Sequence, residues 1–311
     1  MIQRTISIDS AKQSVLKTDY LFVIVGDIHH EIALAVEGLE RLEIELGRSI
    51  DQVFSVGDLG LFLEPEDWDF LTGPKKYRHP DLSPVIKRAW EGWCWPLAAI
   101  AGNHEPLHIY RSGDWSLFGE KFSYTHAGEL SHGIPGMHVA GLSGIYHPDC
   151  AQFITLEEKN NGRFPCGPVG WPEMVDLVRK GLVKAKRLTY FKEEEVARLK
   201  SLPPRPHILL THDWPMQPPW HRPAHPRRPE AEVAETLQPR WIFSGHHHQT
   251  YSARHGVSEF RALNIITSPE LKPRHEILSG WAWIGGWNAT TGVLRDLGYW
   301  PPLKLASERN G

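Results

Sequence analysis

Cysteine is scarce: 3 in 311 residues, Cys94, Cys150 and Cys166, odd in number and irregularly spaced. That pattern excludes a disulfide framework and reads as free thiols in a reducing compartment. The chain opens without a secretory h-region, and the apolar run at Leu21 is far too short to span a bilayer. A cytoplasmic protein without membrane contact is expected. Charge of either sign is not in excess, since the net value is −3. A general polyanion-coating protein is thereby disfavoured, while local basic patches stay open. Internal repeats and a separable second domain are also lacking, so residues 1–311 read as a single domain. What is present is ordinary for a globular enzyme: 41% hydrophobic and 23% charged residues, enough for a sizeable core.

The most informative stretch is residues 21–31, LFVIVGDIHHE. Five apolar residues, mostly β-branched or aromatic, have the composition of a short buried strand. Gly26 ends the run, and Asp27 and His29 follow at once. A carboxylate and an imidazole just past a buried strand can turn toward one point, where oxygen and nitrogen donors suit a divalent first-row metal. Taken alone, the same residues describe a turn capped by Asp.

The same grammar returns along the chain. Residues 52–56 end in Gly57-Asp58, and residues 96–101 end in Gly102-Asn103-His104-Glu105. Residues 207–211 (HILLT) end in His212-Asp213, and residues 241–244 end in Gly245-His246-His247-His248. Sites in open α/β folds form where loops converge at the carboxyl ends of strands.

The ordered set GDIH, GD, GNHE, H and GHHH resembles the calcineurin-like metallophosphoesterase superfamily, over residues 26–248. The resemblance implies an α/β fold with a two-sheet mixed β core flanked by helices, in four layers. It also implies two divalent metal ions, with Asp27, His29 and His248 on one and Asn103, His212 and His246 on the other. Asp58 would bridge them, and His104 would stand beside the site without binding metal.

The chemistry accounts for these residue types. Two divalent ions about 3.5–4 Å apart clamp the attacking and departing oxygens of a phosphoryl displacement. A carboxylate between them offsets their repulsion. The departing alkoxide needs a proton, and imidazole titrates in the right range. His104 is the candidate acid, with Glu105 or Asp213 as orienting partners. A ligand set without Cys disfavours structural zinc; Mn, Fe, Ni and Zn remain open as the bound ions.

Elsewhere, residues 31–48 carry Ala35, Leu39, Leu42 and Leu46 at helical spacing, with Gly47 as the stop. Residues 83–95 read as a Trp-bearing helix, 175–183 and 193–201 as further helices, and 137–142 as a strand. Lys75, Lys76, Arg78 and His79 form either a solvated surface or a phosphate-attracting rim. Basic residues Arg179, Lys180, Lys184, Lys186 and Arg187 follow the polar side of the 175–183 helix. The C-terminal strands, within 259–303, are expected at 259–267 and 281–287, with a tail over 294–303. WAWIGGWN is expected as a packed strand pair.

GLSGIY (141–146), RLTYF (187–191), THDWP (211–215) and PRWIFSGHHH (239–248) resemble the RNA lariat debranching enzyme branch more narrowly. Asp27 stands where the eukaryotic members commonly have Cys, and His30 where Gly is usual. That branch implies a substrate-recognition loop, here about residues 146–190. Prolines in 215–229 interleave with Trp214, Trp220, Arg222, Arg227 and Arg228. That segment is either a stiff connector or a substrate wall, since Arg binds phosphate and Trp stacks on bases. Candidate substrate residues are His30, Glu105, Tyr146, Asp213, Trp214, Arg227 and Arg228; His247, alternating away from its neighbours, is not expected to bind metal. The expected function is a metal-dependent phosphodiesterase on RNA or nucleotides, with no obligate protein partner. Its alternatives are a phosphomonoesterase on a phosphoprotein or small metabolite, and a non-catalytic scaffold.

Overall fold

Alternation along the first strand sets the layering. In β1 (Tyr20–Val25), Leu21, Val23 and Val25 join one hydrophobic cluster, while Phe22 and Ile24 join another. Successive side chains of a strand leave opposite faces, so a strand buried on both sides reads as one continuous apolar run. The structure is a computed structural model describing residues 19–72, 78–146, 170–216, 228–267 and 276–302.

One six-stranded sheet has the order β12-β11-β1-β2-β3-β4. It comprises β1, β2 (Gln52–Ser55), β3 (Leu97–Ala99), β4 (Phe122–Tyr124), β11 (Ala282–Asn288) and β12 (Val293–Trp300). The other has the order β5-β6-β7-β8-β10-β9. It comprises β5 (Ala127–Glu129), β6 (Val139–Leu142), β7 (Ile208–Thr211), β8 (Trp241–Ser244), β9 (Tyr251–His255) and β10 (Ser258–Ala262). Strands β1–β4, and β6, β7, β8 and β10, run parallel; β11 and β12 join the first sheet antiparallel on the side away from its parallel edge strand β4, and β5 and β9 are antiparallel edges of the second.

Phe22, Ile24, Phe54, Ile208, Leu210, Phe243 and Trp283 form the core between the sheets. The outer face of the first sheet packs under α1 (Ile32–Leu46), through Ala35, Leu39 and Leu42. The outer face of the second, with Leu209 and Ile242, packs against α5 (Glu193–Lys200) and α6 (Pro229–Leu237). The order is helix, sheet, sheet, helix, as expected. The described residues hold three further α-helices: α2 (Ser83–Glu91), α3 (Leu107–Ser112) and α4 (Trp171–Arg179). Among the described residues no helix is long and apolar enough to cross a membrane.

Two expectations at the C-terminal end are corrected. Residues 293–300 are a strand rather than a tail, paired along β11 from Val293 to Trp300. WAWIGGWN forms not a strand pair but one wholly buried strand, β11, between β1 and β12. The helix expected over 83–95 ends at Glu91, beyond which Trp93 and Trp95 are buried in the core. Most of the expected recognition loop, residues 147–169, lies outside the described residues, as do Lys75, Lys76, Cys150, Cys166, Trp220, Arg222 and Arg227.

Candidate metal centre

The candidate ligands lie past the carboxyl ends of β1, β2, β3, β7 and β8. The first two loops are laced together by their backbones: Ile28 and His29 amides both donate to the Asp58 carbonyl, at 3.0 and 2.8 Å. The last two are joined by the Gly245 amide on the His212 carbonyl, at 3.1 Å. The sheets are bridged by the His246 amide, which donates to Asp27 Oδ2 at 2.9 Å. Turning so sharply forces the left-handed backbone on His29, His30, Asp58, His246 and His248, with φ between 47° and 67°. Such conformations are unfavourable for non-glycine residues and gather at functional sites.

Side-chain geometry follows. Nε2 of His29 and of His248 stand 3.0 Å apart, and His248 Nε2 is 3.1 Å from Asp27 Oδ2. Asp58 Oδ2 lies between two imidazoles, 3.5 Å from His29 Nε2 and 3.3 Å from His212 Nε2. His212 Nε2 also meets Asn103 Oδ1 at 3.1 Å, while its Nδ1 faces the Val56 carbonyl at 2.8 Å. Two sets of donor atoms lie within 4.8 Å of one another: Asp27, His29 and His248, then Asp27, Asp58 and His212. His246 has its ring 5.0 Å from that of His212, but its nitrogen groups with Asp213 and His247. The His104 ring centre is 4.9 Å from that of His29.

Electrostatics keep Asp58 ionised and load His212 with a proton that a bound cation would displace. Burial opposes the charge on Asp58, yet the His212 and His104 imidazoles hold its carboxyl well below the usual range. Burial also opposes charge on His212, but Asp58 outweighs it and lifts that imidazole to about 10. Burial pushes His29 down to about 4, against the pull of Asp58 and Asp27, which leaves its ring neutral at pH 7.

These residues fit divalent ions on three grounds. The donors are carboxylate oxygen and imidazole nitrogen, the set that hard and borderline cations take. Asp27 Oδ1 is buried and has no hydrogen-bond partner, a costly state for a polar atom without a cation beside it. Glycines also cradle both carboxylates: a Cβ on Gly245 would collide with Asp27 Oδ1, and one on Gly102 with Asp58 Oδ1.

The candidate substrate residues divide. Tyr146 is half-buried with its ring against Phe191, and the half-buried His30 ring faces Trp68. Several others are corrected. Glu105 is fully buried, and its two oxygens accept the Leu59 and Gly60 amides at 2.8 and 2.9 Å, so it fixes the loop after Asp58 instead of touching substrate. Trp214 is buried between Tyr251 and Phe260, with Nε1 on the Gly245 carbonyl, so it is core and not a stacking platform. Asp213 is buried, and its Oδ1 meets Arg228 at 3.0 Å and His247 at 3.1 Å. Arg228 also donates to the Trp214 carbonyl at 3.1 Å, as a brace between α6 and the His212 loop. Neither Glu105 nor Asp213 is hydrogen-bonded to the His104 ring among the described residues. Sequence reasoning missed the roles of Arg228 and His247 in holding Asp213, which depend on contacts between distant loops.

This fold, with carboxylates and imidazoles on strand ends of both sheets, is that of a metallophosphoesterase. The chain belongs to the calcineurin-like phosphoesterase family, whose model matches residues 20–250. It is similar to a lariat debranching enzyme of Entamoeba histolytica, 26% identical over 264 residues that make up 78% of this chain and 68% of that one. A lariat debranching enzyme of Arabidopsis thaliana is 24% identical over 277 residues, 78% of this chain and 59% of its own length. Among solved structures, TT1561 of Thermus thermophilus aligns with 90% of this chain and 99% of its own, at 12% identity and a TM-score of 0.44.

Proposed function

We propose that this chain is a metal-dependent phosphodiesterase acting on RNA or a nucleotide. The observation that supports it best is the Asp58 carboxylate, with one oxygen facing both the His29 and the His212 imidazole. A carboxylate so placed suits a bridge between two cations. Asp27, His29 and His248 would hold one ion, and Asn103, His212 and His246 the other, with Asp58 shared. Asp27, whose Oδ2 faces His248, also offers an oxygen within 4.8 Å of the Asp58 and His212 donor atoms. When bound, the two ions supply Lewis acidity and a water acidic enough to attack phosphorus near neutral pH.

The chain's own residues do the rest. Asp58 accepts the His104 amide, which fixes the start of the His104 loop against the centre. The His104 ring, half-buried and beside His29, donates its proton to the departing oxygen. Glu105, the next residue, anchors the same loop from below through Leu59 and Gly60. The likeness to lariat debranching enzymes supports a diester over a monoester, with 2′,5′-branched RNA as the first candidate. The test is a substrate panel with metal-reconstituted protein: linear RNA, 2′,5′-branched RNA, cyclic nucleotides and phosphopeptides. Turnover of an RNA or nucleotide diester is expected. Turnover of phosphopeptides alone would establish the monoesterase alternative, and metal binding without any turnover would leave a scaffold.

A further inference from the structure

Between the candidate ligands His246 and His248 stands His247, whose Nε2 donates to Asp213 Oδ1 at 3.1 Å. The His246 ring lies 4.9 Å from that of His247, at 67° to it. Donor atoms of Asp213, His246 and His247 all fall within 4.8 Å of one another. Asp213 is buried and both imidazoles are half-buried, so the group sits at the edge of the core, where an ion can reach it.

Two imidazoles and a carboxylate are a sufficient set for a small borderline cation, which keeps its fourth position for water. Ligand atoms about 2.0–2.1 Å from a tetrahedral Zn2+ stand roughly 3.3 Å apart. The 3.1 Å between Asp213 Oδ1 and His247 Nε2 is close to that span, so an ion can take the place of the hydrogen bond with little movement. Both donors are also fixed by backbone: the Trp214 amide donates to Asp213 Oδ1 at 2.7 Å, and the His247 amide to the Gly245 carbonyl at 2.8 Å.

Positive charge is short at this group. Arg228 meets Asp213 Oδ1 at 3.0 Å. Glu230, on the first turn of α6, is buried with both oxygens lacking a hydrogen-bond partner, and the charges of Asp213 and Arg228 both bear on it. One guanidinium thus serves two buried carboxyl groups. Buried carboxylates are costly unless they are paired or coordinated. A divalent ion at Asp213 supplies the charge that Arg228 alone does not.

We propose that Asp213, His246 and His247 form a third, weaker zinc site, and that an ion bound there inhibits by drawing His246 away from the second ion of the candidate centre. The site stands on these residues alone; the inhibition rests on the phosphodiesterase reading above. His246 is the donor that the two sites share, its ring 5.0 Å from that of His212 and 4.9 Å from that of His247. A neutral imidazole has one nitrogen lone pair to give, so it serves one ion at a time. Nitrogen and oxygen donors bind Zn2+ well above Mn2+, so inhibition should follow zinc and not manganese.

The test compares the full wild-type chain with His247→Gln, which keeps an amide donor for Asp213 and loses the imidazole. Each is titrated with Zn2+, and separately with Mn2+, to well beyond about two ions per chain. Bound metal is counted by equilibrium dialysis, and hydrolysis of a small chromogenic phosphodiester is measured beside it. Wild type should take up a third zinc after the first two, and its hydrolysis should fall at least roughly fivefold from the maximum as that ion binds. His247→Gln should stop near two zinc ions and hold whatever maximum it reaches, and excess Mn2+ should inhibit neither protein. Glu230→Gln, which leaves all three donors in place, should weaken the third zinc and not the first two. A wild type that binds no third zinc, or a His247→Gln protein that binds it equally well, would overturn the site. A third zinc that depends on His247 yet leaves hydrolysis untouched would overturn the inhibition. A third zinc that depends on His247, in a protein that hydrolyses no diester with either metal, would instead refute the phosphodiesterase reading and leave the site standing.

Discussion

The backbone amide of His104 donates to Oδ1 of Asp58 across 2.6 Å. The candidate acid and the candidate bridging carboxylate are therefore positioned through one contact, made by the main chain and independent of the His104 side chain. Replacing His104 by Ala should keep bound metal while slowing the chemical step by roughly 10²–10⁴-fold for substrates with alkoxide leaving groups. Nitrophenyl esters, whose leaving group needs little protonation, should lose much less. Equal losses for alkyl and nitrophenyl esters, or loss of metal by elemental analysis, would remove His104 from that role.

The glycines that cradle the carboxylates permit a sharper test of the centre. Gly245→Ala and Gly102→Ala push a methyl group onto a buried carboxylate oxygen, Asp27 Oδ1 and Asp58 Oδ1 respectively. Both variants should fold, bind less metal and turn over diesters at a small fraction of the wild-type rate. Full metal content in either variant would mean that Asp27 or Asp58 is not held as described.

Arg228 supports the site from behind. Its contacts with Asp213 and the Trp214 carbonyl predict that Arg228→Ala lowers kcat on small and polymeric diesters alike. A loss confined to the KM of long RNA would restore Arg228 to substrate contact.

The candidate ligand residues were legible because each stands within four residues of the end of an apolar strand, so local order brings them to the carboxyl ends of strands in both sheets. The parts that were not legible depend on distant partners. Trp214 has the chemistry of a base-stacking residue, and only the arrival of Tyr251 and Phe260 makes it core. Helix α3 escaped notice because six residues, LHIYRS, bury a His and an Arg whose partners are Asp67 and Glu195. In β12 the buried positions are Leu294, Leu297 and Trp300, spaced by three. The register irregularity beside Ile284 and Gly285 breaks the alternation by which a strand is recognised.

Glu230 gives stability a pH dependence away from the ligands. It is buried with both oxygens lacking hydrogen-bond partners, and burial, reinforced by Asp213, pushes its carboxyl up to about 8. The folded state thus prefers the protonated acid. Its contribution is full below the ordinary glutamate pKa near 4.5 and is lost as pH rises through about 8. Glu230→Gln should flatten that decline, melting roughly a few degrees above wild type at pH 9 and close to it at pH 5. Parallel melting curves at both pH values would show that Glu230 carries no such penalty.

The central claim, diester cleavage by a centre that Asp58 bridges, is tested most directly by titrating metal into chelator-stripped wild-type and Asp58→Ala protein. Bound metal is measured alongside hydrolysis of a chromogenic phosphodiester. Wild-type activity should rise from background and saturate near two ions per chain. Asp58→Ala should bind fewer ions and stay at background. Wild-type hydrolysis that survives metal stripping, or an Asp58→Ala protein that binds and hydrolyses like wild type, would contradict the account.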